Sequence, residues 1–174
     1  MSPVRSSNYL YIGGYNNQSL LVKLAADAPA AEVVWQNEPQ LGVSPVNVQP
    51  FVQDGVMYGF DQSGRMYAVG LPSGKRLWET TKPVSDRPAY SGTAFIVRQG
   101  DKGQRYWLFN ERGQIIIANL TPTGYEEIDR TQQLIEPTNH AFGREVVWCM
   151  PAFANRRLYV RNDEECICVD LAEN

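Results

Sequence analysis

His140 is the only histidine of the chain, and it stands in the run Glu136-Pro137-Thr138-Asn139-His140-Ala141-Phe142-Gly143-Arg144. An imidazole beside an amide and a carboxylate can pass a proton near neutral pH, so Glu136, Asn139 and His140 form one candidate polar site. The simpler expectation is a solvated loop histidine, because no activated nucleophile accompanies it. Ser44-Pro45 and Ser91-Gly92 lack the strand-to-helix elbow that presents a reactive serine. Gly13-Gly14 and the Gly100 to Gly103 stretch precede no helix, so they build no phosphate cradle.

Three cysteines, Cys149, Cys166 and Cys168, leave at least one thiol unpaired within the chain. Cys166 and Cys168 are two apart on a predicted strand and point to one face. A disulfide between such neighbours is sterically awkward, and a metal would need more ligands than His140 adds. The expectation is that all three are small apolar core residues. Asp61 and Asp163 fall in hairpin turns, where a carboxylate caps the turn backbone. Asp163-Glu164-Glu165 reads as a solvated acidic corner. Catalytic, cofactor-binding and metal-ligating roles are therefore assigned to no residue.

Whatever these residues do, a repeated unit must position them. A strand carrying an aromatic residue is followed twelve or thirteen residues later by a leucine. The copies are Leu10-Tyr11-Ile12-Gly13-Gly14 to Leu24, Met57-Tyr58-Gly59-Phe60-Asp61 to Leu71, Tyr106-Trp107-Leu108-Phe109-Asn110 to Leu120, and Leu158-Tyr159-Val160-Arg161-Asn162 to Leu171. The leucines lie 47, 49 and 51 residues apart. Such a period, built from short alternating strands, is the mark of β-propeller blades. With Trp35 and Trp78 added, the structural repeat positions are Tyr11, Leu24, Trp35, Tyr58, Leu71, Trp78, Trp107, Leu120, Tyr159 and Leu171.

The predicted fold is all-β, one domain over 1–174, with blades at about 1–38, 44–82, 88–131 and 145–174. In the second unit the strands are predicted at 46–52, 56–60, 65–71 and 76–80. Pro3, Pro50 and Pro151 each stand eight residues before their aromatic, at the start of an innermost strand. The fourth unit runs out after Leu171 without an outer strand. The expectation is about four blades, the C-terminal half of a seven- or eight-bladed ring, with an open blade edge able to pair. A ring closed by one three-stranded blade is the alternative.

A net charge of −3 and a pI near 5.2 leave no basic stripe for nucleic acid. No run reaches the roughly 18 apolar residues of a membrane-spanning helix. The opening Met1-Ser2-Pro3-Val4-Arg5-Ser6-Ser7 lacks the apolar stretch of a signal peptide.

Tyr67-Ala68-Val69-Gly70-Leu71 followed by Gly74-Lys75-Arg76-Leu77-Trp78 resembles the repeat of the pyrroloquinoline-quinone (PQQ) type β-propellers. That family includes quinoprotein alcohol dehydrogenases and the propeller lipoprotein of the bacterial outer-membrane β-barrel assembly machinery. Trp35 and Trp78 match its interblade tryptophan, where the third unit has Glu127-Ile128. Asp170-Leu171 and Asn119-Leu120 match the polar residue before its leucine; Gly70 and Lys23 depart from it. The run from Val147 to Asn155 is similar to the last blade of exported PQQ-like repeat proteins. The resemblance implies a periplasmic or extracytoplasmic location. Its enzymes stack a quinone between a tryptophan and a disulfide of adjacent cysteines, beside calcium and an aspartate. This chain has no adjacent cysteine pair, so neither PQQ nor calcium is expected.

The function expected is a non-catalytic scaffold that binds a protein or peptide on a propeller face. Part of a quinoprotein dehydrogenase-like enzyme is the alternative, and a carbohydrate-binding or cell-surface module a further one. The candidate contact loops are Ala25–Ala31, Lys82–Tyr90, Gln99–Gln104 and the connection Gln132–Arg144, whose Leu134, Ile135 and Phe142 are candidates to pack on a blade.

Overall fold

The chain folds into four antiparallel sheets whose strands follow one another in chain order. The computed structural model describes residues 1–101 and 103–172. Lys102, in the Gln99–Gln104 insertion, and Glu173-Asn174, at the tail, lie outside the described residues. The first sheet holds β1 (Val4–Ser6), β2 (Tyr9–Gly13), β3 (Ser19–Leu24) and β4 (Ala31–Gln36). The second holds β5 (Phe51–Gln53), β6 (Val56–Phe60), β7 (Met66–Gly70) and β8 (Lys75–Thr80). The third holds β9 (Ala94–Arg98), β10 (Arg105–Asn110), β11 (Ile115–Thr121) and β12 (Gly124–Arg130). A hairpin of β13 (Asn139–Ala141) and β14 (Arg144–Val146) leads to the fourth, made of β15 (Ala152–Ala154), β16 (Arg157–Arg161) and β17 (Cys166–Asp170).

Pro3, Pro50 and Pro151 each immediately precede the first strand of a sheet, where a missing N–H costs no ladder bond. Strand limits need one correction. The strand predicted from Val46 to Val52 shrinks to Phe51–Gln53, because Pro45 and Pro50 remove ladder donors from that stretch. The connection Gln132–Arg144 carries β13 and runs into β14, and this hairpin leaves no sequence signal because three-residue strands are too short to show alternation.

Side-chain alternation stacks the sheets in order. Tyr11, Leu21 and Trp35 of the first sheet pack on Met57, Tyr67 and Val69 of the second. Val56, Tyr58, Phe60 and Ala68 of the second meet Tyr106, Leu108, Ile116 and Ala118 of the third. Phe109 and Ile115 of the third meet Leu158 and Val160 of the fourth. The repeated aromatic and the closing leucine thus serve opposite faces. Tyr11, Tyr58 and Trp107 look toward the following sheet, whereas Leu71, Leu120 and Leu171 pack in the core shared with the preceding one. Strand period two makes this unavoidable once both residues are apolar.

The tryptophans add a polar tie. The Trp35 indole N–H donates to Pro72 O at 3.1 Å, and that of Trp78 to Thr121 O at 2.8 Å. Each acceptor follows the closing leucine of the next sheet. A register shift recurs beside this position, after Leu21, Ala68 and Ile117. In the third sheet it places Asp129 opposite Ile117, so Asp129 holds the tryptophan position, one residue beyond the expected Glu127-Ile128. A bulge adds a residue without leaving a sequence signal.

The buried phenol of Tyr11 donates to Val43 O, and loss of solvent pushes its pKa up from 10.0 to about 12. A raised phenol pKa means that the folded state holds the proton more tightly. Its stabilisation is complete below pH 10 and is lost as pH rises through about 12. Urea unfolding across that window should show stability falling by up to about 1 kcal/mol per pH unit from this group. The slope should flatten in Tyr11→Phe; an unchanged slope would show that Tyr11 does not titrate in the folded state.

Candidate functional site

In each complete sheet, the turn after the second strand and the connection to the next sheet lie at the same end. In the second, third and fourth sheets the turn after the second strand begins with a buried Asx residue: Asp61, Asn110 and Asn162. Asp61 accepts from Ser44 N and Ser63 N, each at 3.0 Å. Asn110 accepts from Arg112 N and Gln114 N and donates to Pro83 O at 2.9 Å. Asn162 accepts from Glu164 N and Glu165 N and donates to Glu136 O at 3.0 Å. The turn role expected of Asp61 is present, and it extends to the incoming connection. Asp163 is exposed and donates its N–H to Thr138 Oγ1 at 3.2 Å.

The turns also press on those connections. Gly64 and Gly113 have φ of +78° and +73°, and a Cβ on either would lie 2.0 Å from Ala89 O or Ile135 O. Glycine is required there on both counts. The connections are thereby fixed in place although they carry little regular structure.

On this rigid end lies a strip of aromatic side chains from three connections. Tyr15 comes from the β2–β3 turn, Tyr90 from the link to the third sheet, and Phe142 and Trp148 from the link to the fourth. The Tyr15 and Tyr90 hydroxyls are hydrogen-bonded. This bond raises the Tyr90 pKa. The Tyr90 and Phe142 rings meet edge to face at 4.9 Å and 78°, and Phe142 lies 6.2 Å from Trp148. Tyr15 is 54% exposed, Tyr90 45% and Phe142 59%. Phe142 therefore does not pack on a blade as expected; it tips the β13–β14 hairpin and faces solvent. Leu134 and Ile135 do pack inward.

Glu111 holds the strip from below. It is 3% exposed, and its carboxylate takes Arg144 in two bonds of 2.7 and 3.1 Å. The Trp148 indole N–H reaches the same carboxylate at 3.1 Å. Arg144 also donates to Tyr90 O at 2.9 Å and lies over the Phe142 ring at 5.9 Å. One buried carboxylate thus orients two links at once. Sequence reasoning missed Glu111 and Tyr15, because their partners lie 33 to 75 residues away.

The strip offers no nucleophile and base in contact. His140 is exposed on β13, opposite Glu145, and Glu136 engages Gln133, so Glu136, Asn139 and His140 form no shared site. The cysteines overturn the core expectation: Cys149 is half-buried and Cys166 and Cys168 are exposed. The last two share a face, as predicted, but it is the face of the fourth sheet opposite to the one packed on the third. Glu164 and Glu165 are exposed, as a solvated corner requires. A groove of about 700 Å³ between the β8–β9 connection and the third sheet is lined by Lys82, Arg112, Glu127, Asp129 and Arg130. Its main charges are already paired, Arg130 with Glu127 at 2.9 Å. Among the described residues no group of three or more His, Cys, Asp or Glu could hold a metal ion, and no helix is long and apolar enough to cross a membrane.

No family model and no curated protein matches the sequence. Solved structures do match. BamB from Moraxella catarrhalis superposes with a TM-score of 0.58 at 17% identity, over 96% of this chain and 41% of that one. The β-propeller domain of Myceliophteria thermophila Cps50 (Swd1) gives 0.50 at 11%, over 94% and 55%. The chain has the β-propeller fold. Quinohemoprotein alcohol dehydrogenase ADHIIG from Pseudomonas putida HK5 gives 0.53 at 18% identity, over 90% of this propeller and 27% of that chain. The likeness to the PQQ-type propellers expected from the repeat is thus present in the fold. The propeller spans less than two thirds of each of these chains.

Proposed function

We propose that this propeller is a non-catalytic scaffold that binds a protein or peptide segment on its aromatic end. The observation that carries the reading is the exposed strip Tyr15, Tyr90, Phe142 and Trp148, held by Glu111 and Arg144. Rigid, half-exposed aromatic side chains lose little conformational entropy on binding and supply most of the energy at protein interfaces. Of the loops expected to make contact, Lys82–Tyr90 and Gln132–Arg144 belong to this end. Ala25–Ala31 and Gln99–Gln104 join the opposite ends of their strands.

A quinone has no part in this reading. Trp35 and Trp78 spend their indole N–H groups on neighbouring backbone, and no two cysteines are adjacent in the chain. An extracytoplasmic location is proposed with the scaffold role, on the PQQ-type likeness.

Selection from a phage-displayed peptide library on the purified propeller tests the proposal. Enriched peptides should carry aromatic or aliphatic anchors, and Phe142→Asp should weaken them roughly 30-fold, about 2 kcal/mol. Peptides that bind Phe142→Asp and Tyr90→Ser as well as the parent would overturn it. Reduction of a dye with added PQQ and calcium would favour the quinoprotein alternative.

A further inference from the structure

Of the nine tyrosines, two are exposed: Tyr15 and Tyr90. Tyr11, Tyr58, Tyr67 and Tyr106 are buried, and Tyr9, Tyr125 and Tyr159 are half-buried. The two exposed ones are each other's partner, hydroxyl to hydroxyl, although 75 residues separate them in the chain. Other phenols donate elsewhere: Tyr11 to Val43 O, Tyr106 to Gln53 and Tyr125 to Glu127. Tyr58 and Tyr106 bring their rings to 6.1 Å, but inside the core shared by the second and third sheets.

Gln62 sets the exposed contact. Its side-chain Oε1 accepts from Asn16 N at 3.0 Å, one residue after Tyr15. Its backbone O accepts from Ser91 N at 2.8 Å, one residue after Tyr90. Both tyrosines thus project from backbone tied to a single residue of the β6–β7 turn. Asn17 N on Ser44 Oγ at 2.8 Å, and Arg144 on Tyr90 O at 2.9 Å, fix the two segments further. Phenols held in this way need little further ordering to react with each other.

We propose that Tyr15 and Tyr90 are an oxidative modification site that closes into a dityrosine cross-link within the chain. The oxidant is hydrogen peroxide acting through a haem peroxidase. One electron and the phenolic proton leave each ring, giving two phenoxyl radicals whose spin is shared with the carbons ortho to oxygen. A carbon–carbon bond forms between one ortho carbon of each ring. The proton on each of those carbons then moves to oxygen, which restores both aromatic rings. The balance is two tyrosines and one peroxide to one dityrosine and two waters. The product carries its hydroxyls on either side of the new bond, still able to hydrogen-bond. The contact in the folded chain is therefore the contact the product keeps. The cross-link ties the β2–β3 turn to the link between the second and third sheets. The inference goes beyond the peptide-binding reading and stands whether or not a peptide is bound.

Oxidation of the purified chain with hydrogen peroxide and a haem peroxidase should produce dityrosine fluorescence in chains that still migrate as monomers. The yield should hold on roughly tenfold dilution, because a tethered partner is present at mM effective concentration. Mass spectrometry after proteolysis should find the Tyr15 and Tyr90 peptides joined, two hydrogens lighter than their sum. Tyr15→Phe and Tyr90→Phe, folded by circular dichroism, should each abolish the fluorescence, and Tyr159→Phe should leave it unchanged. Gln62→Ala, which frees both segments, should lower the yield. The cross-linked chain should unfold at higher urea than the parent, since a closed 75-residue loop restricts the unfolded state. Fluorescence that survives in Tyr15→Phe, cross-links formed only between chains, or oxidation that spares both tyrosines would each overturn the proposal.

Discussion

Trp35→Ala should destabilise the protein by about 4 kcal/mol, the middle of the range for a large aromatic truncated in a core. Trp35 is 8% exposed and lies 5.9 Å from Tyr11. It is clasped between Gly42 and Gly74, where a Cβ would come within 2.9 Å and 2.8 Å of the indole. Backbone on both sides cannot collapse into the space the ring would leave. The Pro72 carbonyl would lose its donor as well. Trp78 makes the same tie but is half-exposed, so Trp78→Ala should cost less, about 2–3 kcal/mol. Urea denaturation of both variants measures the two values and their order. Equal costs, or a loss below about 1 kcal/mol for Trp35, would refute the role of the glycine clasp.

Glu111→Ala should cost about 3 kcal/mol, the lower end of the range for breaking a buried ion pair. The lower end applies because Arg144 keeps 25% of its side chain in solvent. The loss goes beyond one pair, since the Trp148 indole and the Arg144 guanidinium both turn on this carboxylate. Hydrogen exchange of β13 and β14 should rise in Glu111→Ala, and any peptide held at the aromatic end should bind more weakly. Glu111→Gln keeps an acceptor for Trp148 and should recover part of both losses. Stability and exchange that match the parent would show that the strip is held by other contacts.

These two residues differ in how visible they were beforehand. Trp35 recurs with Trp78 on the strand that follows the closing leucine, and that repetition reflects one structural job done in successive blades. Glu111 does its job once, through Arg144 and Trp148 on a distant connection, so nothing in its neighbourhood marks it. The same contrast explains the corrected readings. Asp129 takes the tryptophan position because a bulge shifts the register, and a bulge has no required residue. The cysteines were expected inside because apolar strand residues in a stack are covered. Cys166 and Cys168 are exposed, because they lie on the face of the fourth sheet opposite to the one packed on the third.

The sequence by itself determined the blades: their number, most strand limits, the prolines that open them, and the aromatic and leucine that face opposite ways. Strand alternation and turn chemistry are local, so residues a few positions apart carry all the information needed. Tertiary structure alone decided where the blades leave function. It brought Tyr15, Tyr90, Phe142 and Trp148 together from three connections and set a buried Glu111 beneath them. Those arrangements depend on contacts across 33 to 75 residues of chain, which a repeat of about fifty residues does not encode.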